Sequence, residues 1–556
     1  MSAASAEFNR ITSVTIVGGG TAGWVTAMIL NSALNGQADG PRVGITLIES
    51  PNVPTVGVGE STVPGMPRLL QQLGIDEKQF MRQCNASFKL GVRFVHWHED
   101  DDGRPLEYFN LFNSPAAIHG LSPAYHFHRF AGPERYSEFA EALVPTCDLI
   151  RARRGPRGPE QEDYESQVGY AYHVDAALFA LFLRDICVAR GVEHVIDDVV
   201  EVQQGENGFI TALKLEERGL VPVQLVVDCT GFRSRIIGQV LEEPFESYSD
   251  LLFCDRALAL QIPHPEPGVI EPCTRSTALG AGWSWRVPLH SRLGTGYVFS
   301  SRFRSDQEAI DEFLGFLGPQ VPQGAEGAEP KVIRMRIGRM RRHWVKNCVA
   351  IGLSSGFIEP LEATAIYVIE TAARWLVRHF PDRAMSPVLA DSYNRLTNTL
   401  YEEIRDFIVL HYHSTNRKEP FWLAARQEIE LPASLAERLE LWRATLPNTV
   451  DTTGDRLFDY WNYLNVLTCK GAFRDCSYAL EGSASRDDWD AFTRRQANLK
   501  RRLVAGLPDH YELLEAIRAA ADQAENRHTV PPAIPALAAA SRSTVPLPDW
   551  GGEAVA

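Results

Sequence analysis

The chain is short of three things: positive charge, long apolar runs and paired cysteines. Its 55 lysines and arginines face 70 aspartates and glutamates, a net charge of -15 over 556 residues. Nucleic acid and anionic membranes both require a positive surface, so neither is expected as a partner. No apolar stretch reaches the length that crosses a bilayer. The opening residues, MSAASAEFNR, show no basic leader followed by an apolar core. Nine cysteines, at 84, 147, 187, 229, 254, 273, 348, 469 and 476, form no Cys-x-x-Cys pair and follow no regular spacing. That argues against a disulfide frame or a zinc site and for reduced thiols. The expectation is a soluble, cytoplasmic protein that binds no metal.

What is present suits a globular protein of two or three domains, with 45% hydrophobic residues to fill a large core. Residues 11–17 (ITSVTIV) run apolar into glycines, as a buried parallel strand does. AGWVTAMILNSAL then has helical spacing, and VGITLIES (43–50) is a second strand, which completes a βαβ unit. Strands and helices mix as far as about 350, with buried strands expected at 221–228 (VPVQLVVD) and 347–352 (NCVAIG). From about 390 the texture turns helical, in SYNRLTNTLYEEIRDFIVLHYHS, SLAERLELWRATL and RDDWDAFTRRQANLKRRLVAGL. The expected organisation is an α/β core over 1–390, a mostly helical region over 391–528, and a disordered Pro/Ala-rich tail over 529–556.

Between the first strand and helix lies VGGGTAGW, where Gly18, Gly20 and Gly23 form Gly-x-Gly-x-x-Gly. In this setting the first glycine permits a tight turn and the second lets a pyrophosphate approach. The third packs helix against strand. Thr21 and Ala22 open the helix whose N-terminus faces the phosphate charge. Glu49 ends the second strand, where a carboxylate can bind ribose hydroxyls; the polar insertion NGQADGPR sets it somewhat beyond the usual ~20 residues. VVDCTGFRS (226–234) resembles the Asp-x-x-Gly strand end of FAD-dependent monooxygenases. NCVAIGLSSGFIEP (347–360) stands where their second flavin strand does, with Gly352-Leu353 in place of Gly-Asp. Together these point to an FAD-binding, Rossmann-like core of the flavoprotein monooxygenase type.

ASFKLGVRFVHW (86–97) sets Lys89 in an apolar and aromatic run. A lysine there is a snorkelling stem, half of an ion pair, or a reagent. WSWRVP (283–288) places Trp283 and Trp285 on one face of a strand. Pro360 suits the first position of a helix through LEATAIYVIETAARWLV, which would set Glu362 in the first turn beside free backbone N–H groups.

In this order the segments resemble the FADH2-dependent tryptophan halogenases. The likeness is carried by GGGTAGW (18–24), VGVGESTVPGMPRLLQQLGI (56–75) leading into ASFKLGVRF (86–94), WSWRVP (283–288) and GFIEPLEATAIY (356–367). It continues at AYHVDAALFALFLR (171–184) and HYHSTNRKEPFW (411–422), and more weakly at WNYLNVLTCKGA (461–472). The resemblance implies that FADH2 and O2 oxidise chloride or bromide to hypohalous acid. That oxidant reaches a lysine beside an electron-rich aromatic carbon. Lys89 matches the lysine, and Glu362 matches a glutamate able to align it and take the arenium proton.

By the same resemblance, flavin would meet Gly18, Gly20, Thr21, Ala22, Gly23, Glu49, Val58, Gly59, Val199, Asp228, Leu353 and Ile366. Backbone amides of Thr364 and Ala365 would hold the halide. The family generally has Ser-Thr-Gly where this chain has Ala-Thr-Ala; alanine resists positive φ, so a differently shaped halide loop is expected. Trp283 and Trp285 would keep organic substrate off the flavin, with Val287 standing where the family usually has isoleucine. Asn110 and Phe112 replace the His-x-Phe pair of tryptophan-specific members. RATLPNTVDTTGDRLFDYWNY lacks the paired tyrosines that clamp free tryptophan. An indole or tryptophan-like substrate is expected, bare or within a peptide, with pyrroles and phenols left open. One dinucleotide fingerprint and no second nucleotide domain imply a separate flavin reductase, and a homodimer is compatible with this reading. The alternatives are an FAD-dependent aromatic monooxygenase and a catalytically silent flavin-binding protein.

Overall fold

A computed structural model describes residues 9–37, 40, 42–53, 59–321, 329–451 and 457–525. Val58 and the tail expected at 529–556 lie outside the described residues. At the centre is a six-stranded sheet in the order Trp344–Val345, Cys348–Ala350, Leu225–Asp228, Ser13–Val17, Gly44–Glu49, Glu193–Ile196. All pairings are parallel except that of the edge strand Trp344–Val345. Helices cover both faces of such a sheet, so its inner strands are largely apolar, and Leu225–Asp228 is buried at every position. The helix Thr21–Asn35 joins the first two strands and packs on the helices Ala176–Ala189 and Ala365–Arg378. Strand order runs one way from Ser13–Val17 through Gly44–Glu49 and the other way through Leu225–Asp228. The carboxyl ends of strands at such a switch point are where open α/β sheets bind ligands.

A seven-stranded sheet stands beside this core, in the order Lys331–Arg334, Arg256–Ile262, Leu293–Phe299, Gly282–Pro288, Thr274–Leu279, Gly91–Glu99, Pro105–Leu111. Next to it, Gly59–Ser61 and Ser87–Lys89 flank Ala171–Asp175 in a three-stranded antiparallel sheet. The residues around that middle strand are anchored by Glu77. Its carboxylate accepts hydrogen bonds from Tyr170 (2.7 Å), Tyr172 (2.5 Å), Arg157 (2.8 Å) and the Tyr164 amide (2.8 Å). A fully buried ion pair is tolerated when its remaining lone pairs are filled in this way.

From Pro387 onward the described residues form helices and no strand: Pro387–His413, Pro420–Gln427, Ala433–Ala444, Tyr460–Cys469, Arg486–Gly506 and His510–Glu525. The first of these crosses residue 391, where the texture change was expected, because Pro387 sits at a helix start, the place proline favours. These helices share one apolar cluster with the core, in which Phe407, Trp422 and Trp461 pack with Trp97 and Trp283.

Two local expectations are corrected. Residues 221–228 are not one strand: Gly219–Pro222 pairs with Ile210–Leu215, and Leu225–Asp228 enters the central sheet. Pro222, lacking an N–H, closes the first ladder. The helix expected from Pro360 begins instead at Ala365. Glu362 and Ala363 have φ of 65° and 58°, a left-handed pair that cannot continue a right-handed helix.

Candidate active site

The nucleotide side grows out of the strand Ser13–Val17. Gly18 follows at φ 122°, and a Cβ there would lie 2.3 Å from the carbonyl oxygen of Cys229. Only glycine makes that turn. A Cβ on Gly20 would meet nothing within 4 Å. The helix behind it, opening with Thr21 and Ala22 ahead of Gly23, has no side-chain cap on its first amides. Open space before uncapped N–H groups at a switch point is what a pyrophosphate requires, so these residues fit a dinucleotide.

Other residues assigned to the flavin contribute differently. Glu49 Oε2 lies 2.8 Å from His194 Nε2, so a ribose would share that carboxylate with an imidazole. Asp228 is saturated internally: it accepts from the Thr230 amide and hydroxyl and from the amides of Ile236 and Ile237, at 2.6 to 2.9 Å. Its work is to shape the turn behind the strand. Gly59 abuts Val287 of the Trp-x-Trp strand. Val199 packs with Val17 and Ile48 in an apolar cluster. Leu353 is exposed, and Ile366 is buried in the first turn of Ala365–Arg378.

Lys89 ends the strand Ser87–Lys89, paired with Ala171, and is 1% exposed. Its ammonium donates to the carbonyl of Thr62 at 2.9 Å and lies 5.4 Å from the ring centre of Phe112. Burial pulls its pKa down to about 8, against the upward pull of Glu362 and Cys273. Glu362, also buried, accepts a 2.8 Å hydrogen bond from Asn110 Nδ2. The left-handed backbone at 362 and 363 aims this carboxylate, in place of the helical first turn expected from the sequence. Thr364 then caps Ala365–Arg378, and Ala365 is its first helical residue. Within the Ala-Thr-Ala departure, Ala363 adopts positive φ although alanine resists it, and Ala365 is helical.

Four further residues complete this chamber. His411 Nε2 stands 3.1 Å from Glu362 Oε1, off the axis of a well-formed hydrogen bond. Burial lowers its pKa, which favours a neutral ring. Its Nδ1 is 3.3 Å from the Tyr108 hydroxyl. Asn462 donates to Asn110 Oδ1 at 3.1 Å. Lys470 donates to the His411 carbonyl at 2.6 Å and to the Ser414 hydroxyl at 3.1 Å, closing the end of the helix Pro387–His413. His411 and Asn462 stand in segments that carried the family likeness. Lys470 lies in the same weakly matching segment as Asn462, residues 461–472; nothing marked Tyr108.

The structure thus brings Lys89, Asn110, Phe112 and Glu362 together. Trp283 and Trp285 stand apart from them as an edge-to-face pair, centroids 6.3 Å apart, both buried. A buried ammonium, a buried carboxylate and an aromatic wall suit proton-coupled attack on an electron-rich ring. A family profile described as tryptophan halogenase matches residues 13–481.

The chain belongs to the tryptophan halogenase family.

It is 36% identical to tryptophan 6-halogenase ThaL of Streptomyces albogriseolus, over 92% of this chain and 99% of that protein. Tryptophan 7-halogenase RebH of Lentzea aerocolonigenes is 38% identical, with 82% and 86% covered. The crystal structure of a tryptophan halogenase from Shewanella frigidimarina superposes with a TM-score of 0.84 at 34% identity, covering 92% of this chain and 98% of that one. Membership makes the protein a flavin-dependent halogenase, and the likeness of fold extends from the nucleotide core through the helical region. No helix among the described residues is long and apolar enough to cross a membrane.

Proposed function

We propose that Lys89 delivers hypohalous acid to a carbon of an indole held beside Phe112 and Asn110, and that Glu362 receives the proton that carbon releases. Reduced flavin, when bound along Gly18 to Gly23, supplies with O2 the oxidising equivalent that turns halide into hypohalous acid. The chain's own residues do the rest. The Lys89 ammonium hydrogen-bonds the oxygen of the acid and passes it a proton as the carbon–halogen bond forms and the oxygen–halogen bond breaks, so that the oxygen leaves as water and Lys89 is left as the neutral amine, to be reprotonated before the next turnover. The cationic ring then loses its proton to Glu362, whose carboxylate Asn110 holds in place. Backbone amides of Thr364 and Ala365, next to Glu362 in the chain, are the halide site of this reading. The buried Lys89–Glu362 chamber is the observation that carries it.

The substrate follows from what surrounds the chamber. The curated relatives are named for tryptophan halogenation at positions 6 and 7, which supports an indole here. Free tryptophan brings an ammonium and a carboxylate that need partners. In the segment where the family clamps them, Asp451 already accepts from Trp442 Nε1 and the Asn448 amide, each at 2.9 Å. A bare indole or a tryptophan within a peptide needs no such clamp. The single dinucleotide fingerprint leaves no place for a nicotinamide, so FADH2 comes from a separate reductase.

Turnover with FADH2, O2 and either chloride or bromide, across free tryptophan, indole and tryptophan-containing peptides, tests this by product mass. Monohalogenated indole or peptide is expected, with free tryptophan the poorest substrate and either halide accepted. Best turnover of free tryptophan would overturn the substrate assignment. NADH oxidation by the purified protein with FAD alone, at catalytic rates, would overturn the separate reductase.

A further inference from the structure

Beneath the Trp-x-Trp strand lies a second buried carboxyl that the halogenation steps leave unused. Glu359 is 1% exposed. Its Oε1 accepts hydrogen bonds from Trp283 Nε1 at 3.3 Å and from the Tyr412 hydroxyl at 2.8 Å. Its Oε2 is buried without a partner among the described residues. Three other buried acids are matched to cations, Glu77 to Arg157, Glu243 to Arg342 and Asp406 to Arg405, and buried Asp228 is filled by four neutral donor bonds. Glu359 meets two neutral donors. Burial pushes its carboxyl up to about 8, so it is mostly uncharged at neutral pH.

The residues it joins come from separate elements. Trp283 lies in the strand Gly282–Pro288, and Tyr412 lies in the last turn of Pro387–His413. Glu359 itself precedes Glu362 by one short turn of chain. His411, next to Tyr412, faces Glu362. The same two segments therefore meet twice, at Glu362–His411 beside Lys89 and at Glu359–Tyr412 under the tryptophans. Only the second meeting takes hold of an indole.

We propose that Glu359 is a positioning residue for halogenation: it fixes the Trp283 ring through Nε1 and ties it to the two segments that carry Glu362 and His411. This rests on Trp283 and Trp285 forming the wall between flavin and substrate. The bond sets the plane of an indole whose centroid lies 6.3 Å from that of Trp285 and 6.2 Å from that of Trp97. Without the acceptor, the Trp283 N–H is left buried and unpaired while the Tyr412 hydroxyl keeps only the Cys254 sulfur at 3.6 Å, and the ring turns to find a partner. A wall so loosened lets hypohalous acid leave before it reaches Lys89.

The test uses the full chain with FADH2, O2, bromide and an indole substrate, comparing E359Q and E359L. It reads flavin affinity, halogenated product per FADH2 oxidised, and oxidant captured by a thioether scavenger. The glutamine amide oxygen accepts the same two bonds, so E359Q keeps the product ratio within about twofold of wild type. E359L lowers the ratio at least about fivefold and raises captured oxidant, while flavin affinity and FADH2 oxidation hold. W283F, which keeps an aromatic ring of smaller size and loses the N–H, leaks in the same direction and carries the test if E359L does not fold. A wild-type ratio in E359L or W283F overturns the proposal. So does E359Q leaking as much as E359L, or a loss that merely tracks weaker flavin binding. If the wild type makes product normally but substrate is found stacked on the flavin, the wall reading fails and the halogenase assignment stands.

Discussion

The proposed nucleotide and halogenation sites of this enzyme are built on different plans. Around Gly18 and Gly20 the working parts are backbone: a left-handed turn, an open approach and uncapped amides, all within one strand end and one helix start. Around Lys89 they are side chains from distant places. Glu362 meets Asn110 across 252 positions, and Asn110 meets Asn462 across 352. A site made of backbone is vulnerable to an added Cβ. A site made of converging side chains is vulnerable to the loss of a head group.

The sharpest way to break that contrast is Lys89→Ala. Halogenation should fall at least about a thousandfold, within the range a positioned acid–base group supplies, while flavin affinity and FADH2 oxidation stay at wild-type values. Product at near-normal yield and regiochemistry would return Lys89 to a packing role. Glu362→Gln should cost less, about a hundredfold in kcat, because water can still accept the arenium proton. Combining the two changes should be no worse than Lys89→Ala alone, since residues acting as a unit are not additive.

On the nucleotide side the effects are smaller and of another kind. Gly20→Ala should weaken FAD about tenfold, equivalent to ~1.4 kcal/mol, with the Tm of the flavin-free protein unchanged. Its Cβ meets no protein atom within 4 Å, so a drop in apo Tm would show that the space serves packing. Gly18→Ala should lose both flavin and stability, because its Cβ falls against the Cys229 carbonyl.

The smallest effect is in pH. With Lys89 at about 8, turnover at pH 8 should be about half its value at pH 7 if the ammonium is the working form. A rise through the same interval would assign the chemistry to the free amine. Stability moves the other way. The folded pKa lies below the ordinary lysine value, so the folded state resists a proton the unfolded chain accepts. The penalty is full below pH 8 and fades as pH climbs toward that ordinary value. Lys89→Met should therefore raise Tm at pH 7, and progressively less above pH 8.

These two plans explain what the sequence disclosed. The glycine turn, its strand and its helix lie within a few residues of the positions read from pattern alone, because a local conformation leaves a local trace. Lys89 stood out because its company was apolar, and Glu362 through the family likeness. The roles of Tyr108 and Lys470 were not legible: each acts on His411, 303 and 59 positions away in the chain and adjacent only after folding. The helix start at Ala365 was misplaced for a related reason. Pro360 advertises a helix locally, whereas the left-handed pair after it is imposed by where Glu362 must point.

That pair has a further consequence. Had the helix begun at Pro360, Glu359 would have been its cap and Glu362 the third residue inside, an arrangement in which the second carboxylate folds back toward the first. Positive φ at Glu362 and Ala363 takes the chain off the helical path just as it reaches the second acid, and the two carboxyls serve different partners, one Trp283 and one Asn110. The left-handed turn at Glu362 thus goes with two carboxyls held by separate partners, Asn110 for one and Trp283 with Tyr412 for the other. Ala363→Gly, which relieves the strain without choosing a hand, would loosen that turn while leaving every functional side chain in place.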